Sequence, residues 1–198
     1  EWIGKDVEGL DIGQSVFCTM SKVDNMFEAR GGHLSPAVTP ADQVWALPKN
    51  MDPVAFAGLV LTQVGYNCGA RPTIGVGDTA VVVGDGLVGQ WAAQTLAWRG
   101  ARVILAGRHQ NRLRRFSDRY PQETVDTTRT DLSGYIEEHH PDGARVIVDT
   151  VGSITVMEHL LGVAARFAHI VSAGFYGTED LLALQTYRDK ELTIDLVS

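Results

Sequence analysis

The amino-acid sequence predicts an α/β protein: a doubly wound parallel sheet flanked by helices, preceded by part of a small antiparallel β-barrel. Three observations carry that expectation. From Asp52 onward, apolar strand-like runs alternate with helical patterns at the spacing of βαβ units, which require a parallel sheet. One of those runs, residues 79–83, passes straight into a glycine-rich turn with a helical pattern behind it. The opening segment lacks the alternation and reads as short strands between turns, too few to close a barrel. The expected division is residues 1–50 for the partial barrel and 51–198 for the α/β domain.

Each element has a local reason. A strand over residues 15–20 follows the turn Asp11-Ile12-Gly13, and another over 43–47 is ended by Pro48; the loop 21–40 between them is rich in Gly, Pro and Asp. Asp52-Pro53 is an N-cap acid followed by proline at the first helical position, opening a helix to about Tyr66. Gly75, Gly77 and Asp78 make a turn. Strands are then expected over 79–83, 102–106, near Val125, and over 145–149, 169–173 and 192–197. Helices are expected over 90–99, 111–120, 131–139 and 153–165.

Composition narrows the function classes. Apolar residues make up 44% and charged residues 21%, so the chain can bury a core. Seventeen basic against twenty-four acidic residues give a net charge of −7, which argues against nucleic acid or an anionic membrane as partner. No apolar run reaches the ~18 residues of a membrane helix. Cys18 and Cys68 lie in no CxxC pair and read as small buried apolar residues; sparse cysteine, with an opening Glu1-Trp2-Ile3-Gly4 that shows no basic n-region of a signal peptide, leads to the expectation of a cytoplasmic protein.

The chemistry is written in residues 84–89. Ala80-Val81-Val82-Val83 runs into Gly84-Asp85-Gly86-Leu87-Val88-Gly89, a GxGxxG turn in the strand–turn–helix context it needs. Gly84 permits the tight turn, Gly86 lets a pyrophosphate approach the backbone, and Gly89 lets the helix pack on the strand. The amides of the helix start, around Leu87 and Val88, then face the phosphates. Asp85 should point outward, away from them. This is the Rossmann fingerprint, and its plain alternative is a glycine-rich turn without ligand.

An absence refines the cofactor. The acid that holds the ribose of NAD usually stands about 20 residues on, at the end of the second strand. Residues 90–117 contain no Asp or Glu; the strand ends Ala106-Gly107-Arg108-His109, with Arg112, Arg114 and Arg115 beyond. Gly107 leaves room where the acid would stand, Arg108 can stack on adenine and bond a 2′-phosphate, and Arg112 can face the same spot. That chemistry points to NADP(H) and away from NAD(H) and FAD, with Arg114 and Arg115 read as a solvated face. In an open parallel sheet ligands lie outside the carboxyl ends of the strands. Thr150, Val151 and Gly152, and Ala173 and Gly174 on the next strand end, are therefore expected beside the nicotinamide half.

The order of partial barrel, linking helix, GxGxxG and Gly-Arg strand end resembles the medium-chain dehydrogenase/reductase superfamily of zinc-type alcohol dehydrogenases. So do the run Gly4-Lys5-Asp6-Val7-Glu8-Gly9-Leu10, the strand Asp42 to Pro48, and Lys190-Glu191-Leu192-Thr193-Ile194. The resemblance spans the chain but only the middle of the family's length. It implies a Rossmann domain plus part of a GroES-like catalytic barrel, a small-molecule alcohol or carbonyl substrate, hydride transfer with NADP(H), and a possible homo-oligomer paired through the last strand. It also implies zinc in the full-length protein, yet no ligand can be carried over: Val60 aligns with the third ligand, and the four-cysteine lobe between Val16 and Gln43 is reduced to one cysteine. Thr62 and Tyr66, on the linking helix, are weak candidates for orienting a substrate or relaying a proton; core packing is the other reading.

Rival readings fare less well. Glu137-Glu138-His139-His140 reads as a solvated helix end and His33 as a loop histidine. A short-chain dehydrogenase needs YxxxK, and Tyr187 and Lys190 stand one residue too close. Neither a P-loop nor a G-x-S-x-G elbow is present. The alternatives carried forward are a zinc-free quinone or enoyl reductase of the same superfamily, and a non-catalytic NADP(H)-binding module.

Overall fold

A computed structural model describes residues 2–19, 37–177 and 184–197. The chain divides into two units, Glu1–Leu59 and Val60–Ser198. In the first, strand β1 (Val16–Cys18) pairs antiparallel with β2 (Val44–Ala46), placing Phe17 opposite Trp45. Cys18, expected to be buried, is exposed, because a two-stranded ribbon covers little of either face. Met20, most of the loop 21–40 and His33 lie outside the described residues. Asp52 caps as expected, its Oδ1 accepting from the Val54 amide at 2.9 Å with Pro53 next to it, but the turn it opens is a short 3₁₀ helix, Pro53–Phe56.

Helix α1 (Leu59–Ala70) follows and leads into the second unit. It runs one turn past Tyr66. Cys68 and Gly69 are buried there, and Arg99 Nη1 donates to the carbonyls of Gly69 and Pro72 at 2.8 and 2.9 Å, fixing the helix end.

The second unit holds six parallel strands: β3 (Thr79–Val83), β4 (Arg102–Gly107), β5 (Glu123–Asp126), β6 (Ala144–Asp149), β7 (Ala164–Ser172) and β8 (Thr193–Leu196). Their order across the sheet is β5-β4-β3-β6-β7-β8. The chain therefore winds outward from β3 in one direction and then crosses to its other side, leaving a topological switch point between β3 and β6. Helices α2 (Leu87–Trp98), α3 (Gln110–Ser117), α4 (Leu132–His139), α5 (Ile154–Gly162) and α6 (Leu184–Asp189) connect the strands. No described helix is long and apolar enough to cross a membrane.

Every residue of β3 is buried, as a central parallel strand covered on both faces must be. Alternation along the strands then builds two cores. Val81, Val83, Ile104 and Ile147 pack with Leu132 and Ile136 of α4 and Met157, Leu160 and Leu161 of α5. Ala80, Val82, Val103 and Val148 pack with Cys68 of α1, Ala92 and Leu96 of α2, and Leu113 and Phe116 of α3.

Several expected boundaries shift. Helix α2 starts at Leu87, ahead of Gln90, because the glycine turn feeds it directly. Helix α5 stops at Gly162, and β7 has begun by Ala164, where helix was expected to Ala165. The ammonium of Lys190 explains the stop: Nζ donates to the carbonyls of Leu161, Gly162 and Ala164 at 2.6, 2.7 and 2.8 Å. Helix α6 was not expected. One histidine of the run read as a solvated helix end is misplaced by that reading: His140 is buried, with Nε2 2.9 Å from Glu123 Oε2. Burial works to raise the Glu123 carboxyl, but the hydrogen bonds from His140 and Tyr135 outweigh it and hold it low.

Helices α1 and α2 touch through glycine. A Cβ at Gly65 would lie 2.5 Å from the Val88 carbonyl oxygen, and one at Gly69 would lie 2.7 Å from that of Ala92. Gly69→Val should therefore cost about 1–3 kcal/mol in urea unfolding, the range for overpacking a dense contact. Gly162→Ala adds a methyl that meets nothing within 4 Å. It should be neutral or stabilising by under about 1 kcal/mol.

Candidate functional site

The carboxyl ends of β3, β4 and β6 border a groove of about 720 Å³, which opens at the switch point where such sheets bind ligands. Its floor is the turn 84–89, and two of the three glycines there are demanded by the protein itself. Gly84 has φ +113°, and a Cβ on it would stand 2.2 Å from Thr150 Oγ1. That hydroxyl donates to the Val83 carbonyl at 2.8 Å, tying β3 to the end of β6. A Cβ at Gly89 would stand 1.8 Å from the Gly84 carbonyl oxygen. Gly86 differs. Its φ of −74° suits any residue, and its Cβ would meet nothing within 4 Å. No neighbouring atom requires glycine there; the space above it is open. Gly86 is also the N-cap of α2 and offers no side-chain hydrogen bond, so the first-turn amides are left for another acceptor.

Asp85 does not point outward. It is buried, and its carboxylate lies under the end of β4. Oδ2 accepts from the backbone amides of Arg108 and His109 at 2.8 and 2.7 Å. Oδ1 lies 3.0 Å from His109 Nδ1 and 3.3 Å from Arg112 Nη1. A Cβ at Gly107 would come within 2.4 Å of Oδ2. The room that Gly107 leaves is therefore taken by an acid delivered from the glycine turn. The physical reason is that the two unpaired amides after β4 attract a carboxylate and only a glycine lets one in. Burial pushes the Asp85 carboxyl up, but the His109 amide and imidazole and the Arg108 amide prevail and hold it low.

The groove brings together most of the residues singled out from sequence. Gly84, Gly86, Leu87, Val88, Gly89, Gly107, Arg108, His109, Arg112, Thr150 and Val151 all line it. Arg108 is exposed, and its guanidinium has no hydrogen bond or ion pair among the described residues. Arg112 faces Asp85, while Arg114 and Arg115 are exposed on α3. Gly152, Ala173 and Gly174 do not line the groove; neither do Thr62 and Tyr66, although Leu61 of the same helix does. Sequence reasoning missed Asp85 as a structural acid. It also missed the far wall, where Thr127, Thr130 and Asp131 lie after β5. Asp131 carries a helix-cap signal, its Oδ2 accepting from the Gly134 amide at 2.9 Å.

Gly152 and Gly174 serve a second device. Asp149 is buried at the end of β6, and its carboxylate accepts from the amides of Val151 and Gly152, both at 3.0 Å, and from the Tyr176 hydroxyl. Ser172 Oγ donates to the Tyr176 oxygen at 2.7 Å. Burial and the Asp149 carboxylate push the Tyr176 phenol well up, so it keeps its proton. The turns after β6 and β7 touch backbone to backbone: a Cβ at Gly152 would lie 2.4 Å from the Phe175 carbonyl oxygen.

Comparison with known proteins agrees with this architecture. A family model described as zinc-binding dehydrogenase matches residues 88–196, over half of the chain. The 2-dehydro-3-deoxy-L-galactonate 5-dehydrogenase of Pseudoalteromonas atlantica is 24% identical over 97% of this chain and 62% of its own length. The chain thus spans less than two thirds of that relative. A zinc-binding dehydrogenase of Sinorhizobium meliloti 1021, solved bound to NADP, superposes with a TM-score of 0.72 at 21% identity, covering 80% of this chain and 48% of its own. The rspB alcohol dehydrogenase of Escherichia coli CFT073, solved with NADH, gives 0.71 at 23% identity, covering 81% and 48%. The chain belongs to the zinc-binding dehydrogenase family, of the medium-chain dehydrogenase/reductase superfamily. Its fold is that superfamily's Rossmann sheet preceded by part of a GroES-like barrel.

The metal in the family's name finds no ligand set here: among the described residues no group of three or more His, Cys, Asp or Glu could hold an ion. No step is assigned to zinc on this chain.

The depressed Asp85 titration has a stability consequence. Its ionised form favours the folded state; that contribution is complete above the unfolded value near pH 4 and is lost as pH falls through the lower folded value. Urea midpoints of the protein should drop as pH falls below about 4, and Asp85→Asn should drop less.

Proposed function

We propose that this chain is the dinucleotide-binding part of an NADP(H)-dependent oxidoreductase, which moves hydride between the nicotinamide and the carbon of an alcohol or carbonyl substrate. The observation that carries the reading is Gly86. The fold explains the glycines on either side of it, whereas open space above a permissive backbone, at the uncapped start of α2, matches what a pyrophosphate requires. The first-turn amides of α2 would bind the phosphates, and Thr150, Val151 and Leu61 would border the middle of the groove. A bound nicotinamide supplies the hydride chemistry. The chain's own residues bind and orient it and keep the Asp149-anchored turns fixed at the neighbouring strand ends.

Preference for the 2′-phosphate rests on Arg108. Asp85 fills the place of the ribose-binding acid, but its lone pairs are already engaged, and the exposed guanidinium of Arg108, in the same groove, has no hydrogen bond or ion pair among the described residues. Relatives are solved with NADP and with NADH, so the choice belongs to these residues and not to the family. Among relatives, one is a sugar-acid dehydrogenase and another an alcohol dehydrogenase, which supports an alcohol or polyol carbon as substrate.

Two outcomes test the reading by fluorescence titration of the full-length protein. Gly86→Val should abolish binding of both NADPH and NADH while the protein stays folded, with a stability loss of no more than about 1 kcal/mol from the poorer helix cap; intact binding would remove the pyrophosphate assignment. Arg108→Ala should weaken NADPH about 10- to 100-fold, the worth of a charged hydrogen bond, and NADH much less. Equal loss for both would refute the 2′-phosphate assignment.

A further inference from the structure

We propose that Asp85, the residue between the first two glycines of the turn, is the positioning residue that sets the 2′-phosphate preference by holding the Arg108-His109 turn in place. The inference rests on the dinucleotide reading above and deepens it.

An ionised carboxylate has about four lone-pair sites. Asp85 fills them with the amides of Arg108 and His109, the ring nitrogen of His109 and the guanidinium of Arg112, at 2.7 to 3.3 Å. No site is left for a ribose hydroxyl unless one of those partners is given up. The acid therefore stands where a ribose-binding acid would stand and yet serves the protein. Its work is to draw two consecutive amides down toward the end of β4, which fixes the backbone from which the Arg108 side chain leaves. It also engages His109 and Arg112, so that among the described arginines lining the groove Arg108 is the one whose guanidinium has no hydrogen bond or ion pair.

Gly107 is the second half of the device. A methyl there would come within 2.4 Å of Oδ2 and 2.5 Å of the Asp85 Cβ, so the acid and the glycine require one another. Two turns far apart in sequence are thus interlocked at the point where the adenosine ribose would lie.

The test is a set of dissociation constants for NADPH and NADH, measured on the full-length protein. Asp85→Ala removes every acceptor and should raise the NADPH constant at least 10-fold while moving NADH less than 3-fold. Asp85→Asn keeps an oxygen for the two amides and should hold NADPH within about 3-fold of the parent protein. Gly107→Ala leaves the acid present but displaces it, and should reproduce the Asp85→Ala pattern; it decides the matter if Asp85→Ala does not fold. In the double variant Asp85→Ala/Gly107→Ala the two effects should not add, because both break one contact. The inference is overturned if NADH binding falls and NADPH binding does not, which would make Asp85 a ribose acceptor. It is also overturned if both fall equally or neither changes. A parent protein that is folded yet binds neither dinucleotide overturns the underlying site reading as well; normal binding by the parent with any of the wrong variant patterns overturns this inference alone.

Discussion

The structure depends on backbone approaching backbone at the switch point more closely than any side chain would permit. Where β3 ends, the Gly84 carbonyl lies against the α-carbon of Gly89, and the Thr150 hydroxyl lies against Gly84 while bonding to the Val83 carbonyl. Those contacts set how far α2 stands from the sheet and join the ends of β3 and β6, the strands between which the chain reverses direction. Behind them, Gly65 and Gly69 draw α1 onto α2 in the same manner. Close packing of this kind transmits displacement and does not absorb it, which makes the groove a rigid frame.

Electrostatics is arranged around that frame. Among the described residues, two buried carboxylates stand at the ligand-facing ends of the strands, Asp85 and Asp149, and both accept from consecutive backbone amides. Each satisfies donors that the end of a strand would otherwise leave orphaned, and each does so beneath a glycine that makes way for it. The cost of burying the charge is met by hydrogen bonds within the turn, so neither needs a ligand to complete it.

Much of this was legible in the sequence. The period change at Asp52, the all-apolar run of β3 and the three glycines after it follow from local chemistry, and the fold came out as expected because those signals agree with one another. Elements with weak local signals were misjudged. Helix α5 ends early because of Lys190, nearly thirty residues away, and α6 is too short to show a period. Cys18 was misread because hydrophobicity indicates preference, while burial needs a covering layer. Asp85 was misread because a charge next to expected phosphates suggested solvent, and only three-dimensional pairing reveals the amides it serves. His140 was hidden in a polar run for the same reason: its partner Glu123 is on another element.

The contact between Gly152 and Phe175 has a kinetic side. With main chain pressed on main chain, and Asp149 gripping one turn through its amides and the other through Tyr176, neither turn can be displaced without carrying its neighbour. Rearrangement at that rim is a joint swing of two segments, and its barrier is the cost of breaking the Asp149 bonds in concert, not the freer wagging that glycine-rich stretches ordinarily enjoy.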